Sequence, residues 1–279
     1  MIEGSRRVKD LIKNRAEGDS GKAQRLQRHY AMERFLERIS VSHFKDNLVL
    51  KGGMLVAALV GLDARSTMDI DATCKGYPLT LESARKLVEE IAALDIGDGM
   101  TFDITDVSEI MEDSEYGGVR VSLVSHLDKT RTNLKIDIST GDAITPSEIS
   151  FNYKLMLEDR YLNIWTYSIE TIFAEKLQTI LVRSVYNTRP RDFYDIYVLQ
   201  ETNHHPDPGV FNLAMERTCA KRNTPGILAD ADQVLSAIET SEPMRAHWGR
   251  FQNDHKYAQS IAWEDAVSSV RLLMRFIRE

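Results

Sequence analysis

Asp69 and Asp71 flank one isoleucine in Met68-Asp69-Ile70-Asp71-Ala72, a stretch whose apolar residues mark it as a strand. Side chains two apart on a strand share a face, so both carboxylates project together while Met68, Ile70 and Ala72 face the other way. Like charges side by side are unfavourable until a cation neutralises them. An all-oxygen set suits Mg²⁺, which takes one or two carboxylates and leaves its other positions to water and substrate phosphates. Asp137, in Leu134-Lys135-Ile136-Asp137-Ile138, is a third acid inside an apolar strand. A lone carboxylate there is costly or shifts its pKa upward, so it too needs a cation. Three carboxylates on neighbouring strands are what a two-metal phosphoryl or nucleotidyl transfer site requires.

Lys51-Gly52-Gly53 supplies a second element of that chemistry. It ends the short apolar strand Leu48-Val49-Leu50 and opens a helix from Met54, so its backbone N–H groups and the helix N-terminus would face a triphosphate brought to Asp69 and Asp71. Glycine lets the phosphate approach closely. Taken singly, an Asp-x-Asp or a Gly-Gly turn is a weak signal. Their order carries more: strand, Gly-Gly, helix, a strand bearing Asp-x-Asp, then a later strand bearing one Asp.

The elements that must position these residues are legible from periodicity. Val8, Leu11 and Ile12, then Leu26, Tyr30, Met32, Phe35, Leu36 and Ile39, recur at helical spacings on either side of a break at Gly18 to Gly21. Met68 to Thr73 is expected as a strand, and Thr80 to Leu94 as a helix with Thr80 as its N-cap. Thr101 to Ile110, Val119 to His126, Asn133 to Ser139 and Ile149 to Met156 read as further strands, several with one wet face. From Ser168 the pattern is almost wholly helical, over 168–183, 191–199, 210–220, 229–239 and 261–277. The expectation is an α+β chain: N-terminal helices and an α/β core over 1–155, then a helical domain over 156–279 packed on that core.

The 279 residues carry 35 Lys plus Arg against 42 Asp plus Glu, with 43% apolar residues, enough for a substantial core. No apolar run is long enough to span a bilayer, and no secretory leader is evident, so no membrane partner and a cytoplasmic location are expected. Cys74 and Cys219, the two cysteines, exclude a disulfide framework and read as buried thiols. Charge is uneven: Ser5 to Arg38 holds ten basic and five acidic residues, an excess of +5 that leaves −12 elsewhere. That stretch is either a docking patch for a polyanion or the solvated faces of two helices. Trp165, Trp248 and Trp263 read as packing anchors, and His204-His205 lacks a partner at metal-ligand spacing.

The order of motifs is similar to the plan of the polymerase-β-like nucleotidyltransferase fold, a mixed sheet with helices followed here by a helical C-terminal region. Within it, the chain resembles the AbiEii/AbiGii-type nucleotidyltransferase toxins of abortive-infection and toxin–antitoxin systems. Leu50 to Leu55, Asp63 to Asp71 and Lys135-Ile136-Asp137 carry the resemblance, with Ile169 to Lys176 and Arg189 to Tyr197 as the third and fourth motifs, over residues 5–200 in all. Residues 201–279 carry no matching motif. Met54 stands where the wider superfamily has Gly-Ser, which removes a hydroxyl.

The resemblance implies an NTP substrate, Mg²⁺ on Asp69, Asp71 and Asp137, and an RNA acceptor, tRNA in particular. It implies a cognate antitoxin of winged-helix type and a role in phage defence. It implies that Lys176 helps to hold the nucleotide and that Asp192 acts in catalysis, with Asp195 three residues on along one helix face. Arg65 is expected to clamp the triphosphate in bidentate fashion. Two other readings stay open: an inactive nucleotide- or RNA-binding module on this fold, and a kinase-like phosphotransferase. The preferred NTP, the acceptor and the oligomeric state are not legible.

Overall fold

The computed structural model of the chain describes residues 2, 4–110 and 117–278; residues 1, 3, 111–116 and 279, which fall within the expected ranges 1–155 and 156–279, lie outside them. The chain divides into two compact units. The first comprises residues 1–58, 66–141 and 149–166, and the second residues 59–65, 142–148 and 167–279. The expected division at residue 155 falls between two strands that pair with each other, Ile149–Lys154 and Tyr161–Thr166, and the main division lies just after the second of them.

The first unit begins with two helices, α1 (Ser5–Ala16) and α2 (Ser20–Val41). Asp19 caps α2 by accepting from the Lys22 amide. Strand β1 (Leu48–Lys51) runs directly into α3 (Gly52–Val60), whose last residues count with the second unit. Then follow β2 (Ile70–Cys74), α4 (Leu81–Ala92), β3 (Met100–Ile110), β4 (Gly118–Leu127), β5 (Thr130–Thr140), β6 (Ile149–Lys154) and β7 (Tyr161–Thr166). The strands form one seven-stranded mixed sheet in the order β3-β4-β5-β2-β1-β7-β6. β5 with β2 and β1 with β7 pair parallel, and the other pairs are antiparallel.

One face of the central strands is the core. Leu48, Leu50, Ile70, Ala72, Val119, Val121, Ile136 and Ile138 are all buried, and α2 and α4 pack against this sheet. Each Leu, Ile and Val among them contributes on the order of 1.5–3 kcal/mol by leaving water. α4 starts with a reciprocal cap: Ser83 N–H donates to Thr80 Oγ1, and Thr80 N–H donates to Ser83 Oγ. Ser83, the third helical residue, closes it.

α2 departs from a solvated amphipathic helix. Arg34 and Arg38 are fully buried; Arg38 forms a fork onto Asp98, at 2.7 and 2.9 Å, and Arg34 pairs with Glu37 and Glu158. Both arginines therefore leave the expected basic patch. Glu33 and Glu37 are buried with them, so the stretch Ser5–Arg28 keeps eight basic and three acidic residues and the same excess of +5.

The second unit is built on α5 (Ile169–Arg183), α6 (Pro190–Glu201), α7 (Pro208–Lys221), α8 (Ala231–Glu239), α9 (Glu242–Asp254) and α10 (Trp263–Arg278). Ser168 caps α5 by accepting from Thr171 N–H, and the segment 142–148 is tied to that turn, because Ser168 and Thr171 both donate to the Thr145 carbonyl. Trp248 and Trp263 are buried and lie 5.8 Å apart, whereas Trp165 is only half-buried and donates to Asp46. Cys74 and Cys219 are buried free thiols.

Candidate active site

The polar face of the sheet carries a row of charge. Register places Lys51 of β1 opposite Asp71 of β2, Asp71 opposite Asp137 of β5, and Asp137 opposite Arg120 of β4. Residues opposite each other on adjacent strands point to the same face, so four neighbouring strands present cation, anion, anion, cation in sequence. Asp137 is thus not the lone carboxylate expected from its strand. Arg120 Nε and Nη2 donate to its two oxygens at 2.8 and 2.6 Å. At the other end Lys51 Nζ donates to Ser139 Oγ at 2.7 Å.

Asp69 lies outside the regular strand. β2 begins at Ile70, and Asp69 sits in the bend before it, so strand alternation does not by itself align the two acids. Met68, expected on the apolar face, is 43% exposed. Asp69 is nevertheless close enough to act on Asp71. Burial is the main reason the Asp71 carboxyl is pushed up to about 6; the charges of Asp137 and Asp69 add to it, while Lys51 and the Gly53 amide oppose it.

Gly52 has φ +64°, and a Cβ built there would meet Asp71 Cγ at 2.6 Å. Only glycine fits this junction between β1 and α3. The close approach lets Gly53 N–H donate to Asp71 Oδ2 at 3.3 Å. An amide of the first helical turn therefore meets a protein carboxylate, where the sequence suggested a triphosphate.

The donor set fits a hard cation in part. Asp71, half-buried beside two other acids, bears a charge that Lys51 offsets only in part and that a divalent ion would relieve. Asp137 is committed to Arg120, and among the described residues no group of three or more His, Cys, Asp or Glu could hold a metal ion together.

Lys176, Asp192, Asp195 and Arg65 belong to the second unit and form a cluster of their own. α5 presents Lys176 to the first two turns of α6, where Asp192 and Asp195 lie three apart on one face. Lys176 Nζ donates to Asp192 Oδ1 at 3.1 Å and to Asp195 Oδ2 at 2.6 Å. Arg65 is 3% exposed and its Nε donates to Asp195 Oδ1 at 2.7 Å, so a buried carboxylate holds the guanidinium expected to clamp triphosphate. Burial alone would raise Asp195, but Arg65 and Lys176 outweigh it and hold the carboxyl down at about 2. Burial likewise opposes the Lys176 charge, and the two aspartates reverse its effect, raising the ammonium above its ordinary value. The lysine thus remains charged with two of its three N–H groups engaged by these carboxylates.

The family model described as nucleotidyl transferase AbiEii toxin, type IV toxin–antitoxin system, matches residues 34–269. The chain belongs to the AbiEii family. It is a nucleotidyltransferase toxin of a type IV toxin–antitoxin system, as the family is. The AbiEii match extends well past residue 200, into helices that carried no recognisable motif, and leaves α1 and most of α2 outside. Two solved structures from Helicobacter pylori are similar to it, one described as a candidate nucleotidyltransferase and the other as JHP933. Each is 20% identical with a TM-score of 0.48, and the matches cover 91% of this chain and 96% and 94% of the other two. No curated protein matches. Among the described residues of this AbiEii chain no helix is long and apolar enough to cross a membrane.

Sequence reading missed Arg120, although a signal was present. β4 and β5 are joined by the two-residue turn Asp128-Lys129, with Asp128 at φ +55°. Counting outward from Leu127 opposite Thr130 brings Arg120 opposite Asp137.

Proposed function

We propose that this AbiEii chain transfers a nucleotide from an NTP to the end of an RNA, tRNA in particular, in a Mg²⁺-dependent reaction. The carrying observation is the row Lys51–Asp71–Asp137–Arg120, in which burial and the neighbouring acids at Asp71 outweigh what Lys51 offers it. Asp69 and Asp71 are the residues that would hold Mg²⁺, with Asp137 completing the set. Bound Mg²⁺ would neutralise the carboxylates and stabilise charge on the reacting phosphate.

The chain's own residues have separable tasks. Asp137 accepts the proton of the acceptor hydroxyl as its oxygen bonds to the α-phosphorus; the bond to the bridging oxygen breaks and pyrophosphate leaves. Gly52 keeps the space beside Asp71 free of a side chain. Lys176, fixed by Asp192 and Asp195, has one N–H left to offer a phosphate oxygen. Arg65 serves as counter-ion to Asp195 in place of the triphosphate clamp. The acceptor would dock on the exposed basic residues of α1 and α2, and neutralisation would come from a winged-helix antitoxin in the cytoplasm of a cell defending itself against phage.

Incubation with each NTP labelled at the α or γ phosphate, in the presence of total RNA, tests this. Label retained from the α position indicates nucleotidyl transfer, and label from the γ position alone indicates a kinase. NTP binding with no label on RNA would reject the RNA acceptor.

A further inference from the structure

Arg120 stands at the end of the charged row, against the carboxylate expected to complete the metal set. We propose that Arg120 is a positioning residue of the transfer site, which orients Asp137 and sets how strongly the site draws a divalent cation. The inference rests on the metal reading given above. Its geometry does not, since the pair follows from the hairpin register and from two short hydrogen bonds.

A planar guanidinium that engages both carboxylate oxygens fixes the rotation of the group as well as its place. Each oxygen keeps a second lone pair, so Asp137 can still accept a proton or touch a metal while it is held. The two ends of the row differ in this respect. Lys51 is a compact charge on a flexible stem that reaches past the acids to Ser139, whereas Arg120 grips its acid in one orientation. The Asp137 side chain is only 17% exposed and that of Arg120 36%, so water screens the pair less than it would at the surface.

Two consequences follow. The positive charge of Arg120 offsets one of the three carboxylates, so a divalent ion meets a less negative site than Asp69, Asp71 and Asp137 alone would make. Asp137 also starts each turnover already aligned. Charge and alignment can be separated, because lysine keeps the first and loses the second.

The experiment titrates the full chain with Mn²⁺, counting free ion by electron paramagnetic resonance, and measures kcat for transfer of α-label to total RNA. Asp71→Asn should abolish Mn²⁺ binding at this site. Arg120→Gln should bind Mn²⁺ roughly tenfold more tightly, since a nearby like charge is gone, while kcat falls about 10- to 100-fold, as for other residues that orient a ligand. Arg120→Lys should return Mn²⁺ affinity to near wild type and leave kcat low. Wild-type Mn²⁺ affinity in Arg120→Gln, or full kcat in Arg120→Lys, overturns the inference and leaves the metal reading standing. Undiminished Mn²⁺ binding by Asp71→Asn overturns the metal reading and the inference with it. If Arg120→Gln does not fold, the lysine variant still decides the alignment half.

Discussion

The charged row of the sheet and the ion cluster of the helical unit use the same residue types under opposite electrostatic terms. In the cluster, Lys176 and Arg65 face Asp192 and Asp195, each acid meets a cation, and at Asp195 burial is outweighed. In the row, Asp71 has Lys51 and one backbone N–H on its side, yet burial and two further acids prevail. A paired buried network still has its desolvation cost but loses far more when one partner is removed, whereas an unbalanced one destabilises the free protein and favours a ligand that brings the missing charge. On the function proposed above, the sheet region would draw a cation, whereas the acids of the helical region already face Lys176 and Arg65.

The largest effect should come from opening the complete cluster. Lys176→Met leaves Asp192 and Asp195 buried side by side and should lower stability by about 3–5 kcal/mol, read as a fall in the denaturation midpoint. Lys176→Arg should fold, with weaker NTP binding in calorimetry, because a planar fork does not replace a point charge. A midpoint unchanged in Lys176→Met would show that the cluster is not a closed network.

Opposite behaviour is expected in the row. Asp71→Asn should abolish transfer and yet stabilise the metal-free protein, by up to about 3 kcal/mol for a carboxyl shifted some two pH units. The folded carboxyl at about 6 lies above its ordinary 3.8, so the folded state holds the proton more tightly. Wild-type stability should rise as pH falls from about 6 towards 4, and the advantage of Asp71→Asn should vanish over the same range. An advantage that persists at pH 4 would refute the assignment.

Asp195 has the reverse sign and a slightly smaller effect. Its carboxyl, held at about 2, lies below 3.8, so its contribution is present above pH 4 and lost as pH falls towards 2. The loss amounts to roughly 2 kcal/mol for a shift of this size. Acid melts of wild type and Asp195→Asn should converge between pH 4 and 2; parallel curves would place the acid sensitivity elsewhere.

What was legible in the sequence is what short-range pattern encodes. The strand, Gly-Gly and helix order, the Thr80 cap and five C-terminal helices follow from periodicity and cap residues. β7 was missed because Asp159-Arg160 and Asn163 dilute its apolar residues, yet it pairs with β1 near the middle of the sheet. α9 is not legible because Pro243 and Gly249 interrupt its pattern, although Pro occupies the first turn, where its missing N–H costs nothing. Asp69, Asp71 and Asp137 were visible as acids in apolar strands. Their counter-ions were not, because Arg120 is brought to Asp137 by a hairpin register and Arg65 to Asp195 across 130 positions.

The smallest and most graded effect concerns a third charged region, where basic residues outnumber acids eight to three. Of the basic residues from Ser5 to Arg28, Lys9 pairs with Asp128, Arg15 donates to the Met156 carbonyl and Arg28 contacts Met68, whereas Arg7 and Arg25 are exposed. Both lie before residue 34, outside the span matched to the family. Phosphate contacts release counterions, and each one lost should reduce the slope of log affinity against log salt by about 0.7 to 0.9. Arg7→Glu with Arg25→Glu should therefore weaken RNA binding and flatten its salt dependence, with NTP binding and folding unchanged, because exposed arginines hold no buried charge in place. The measurement is RNA affinity at a series of salt concentrations for the wild type and the double variant. Superimposable lines would make the +5 excess a solvated helix surface and place the RNA contacts elsewhere on the molecule.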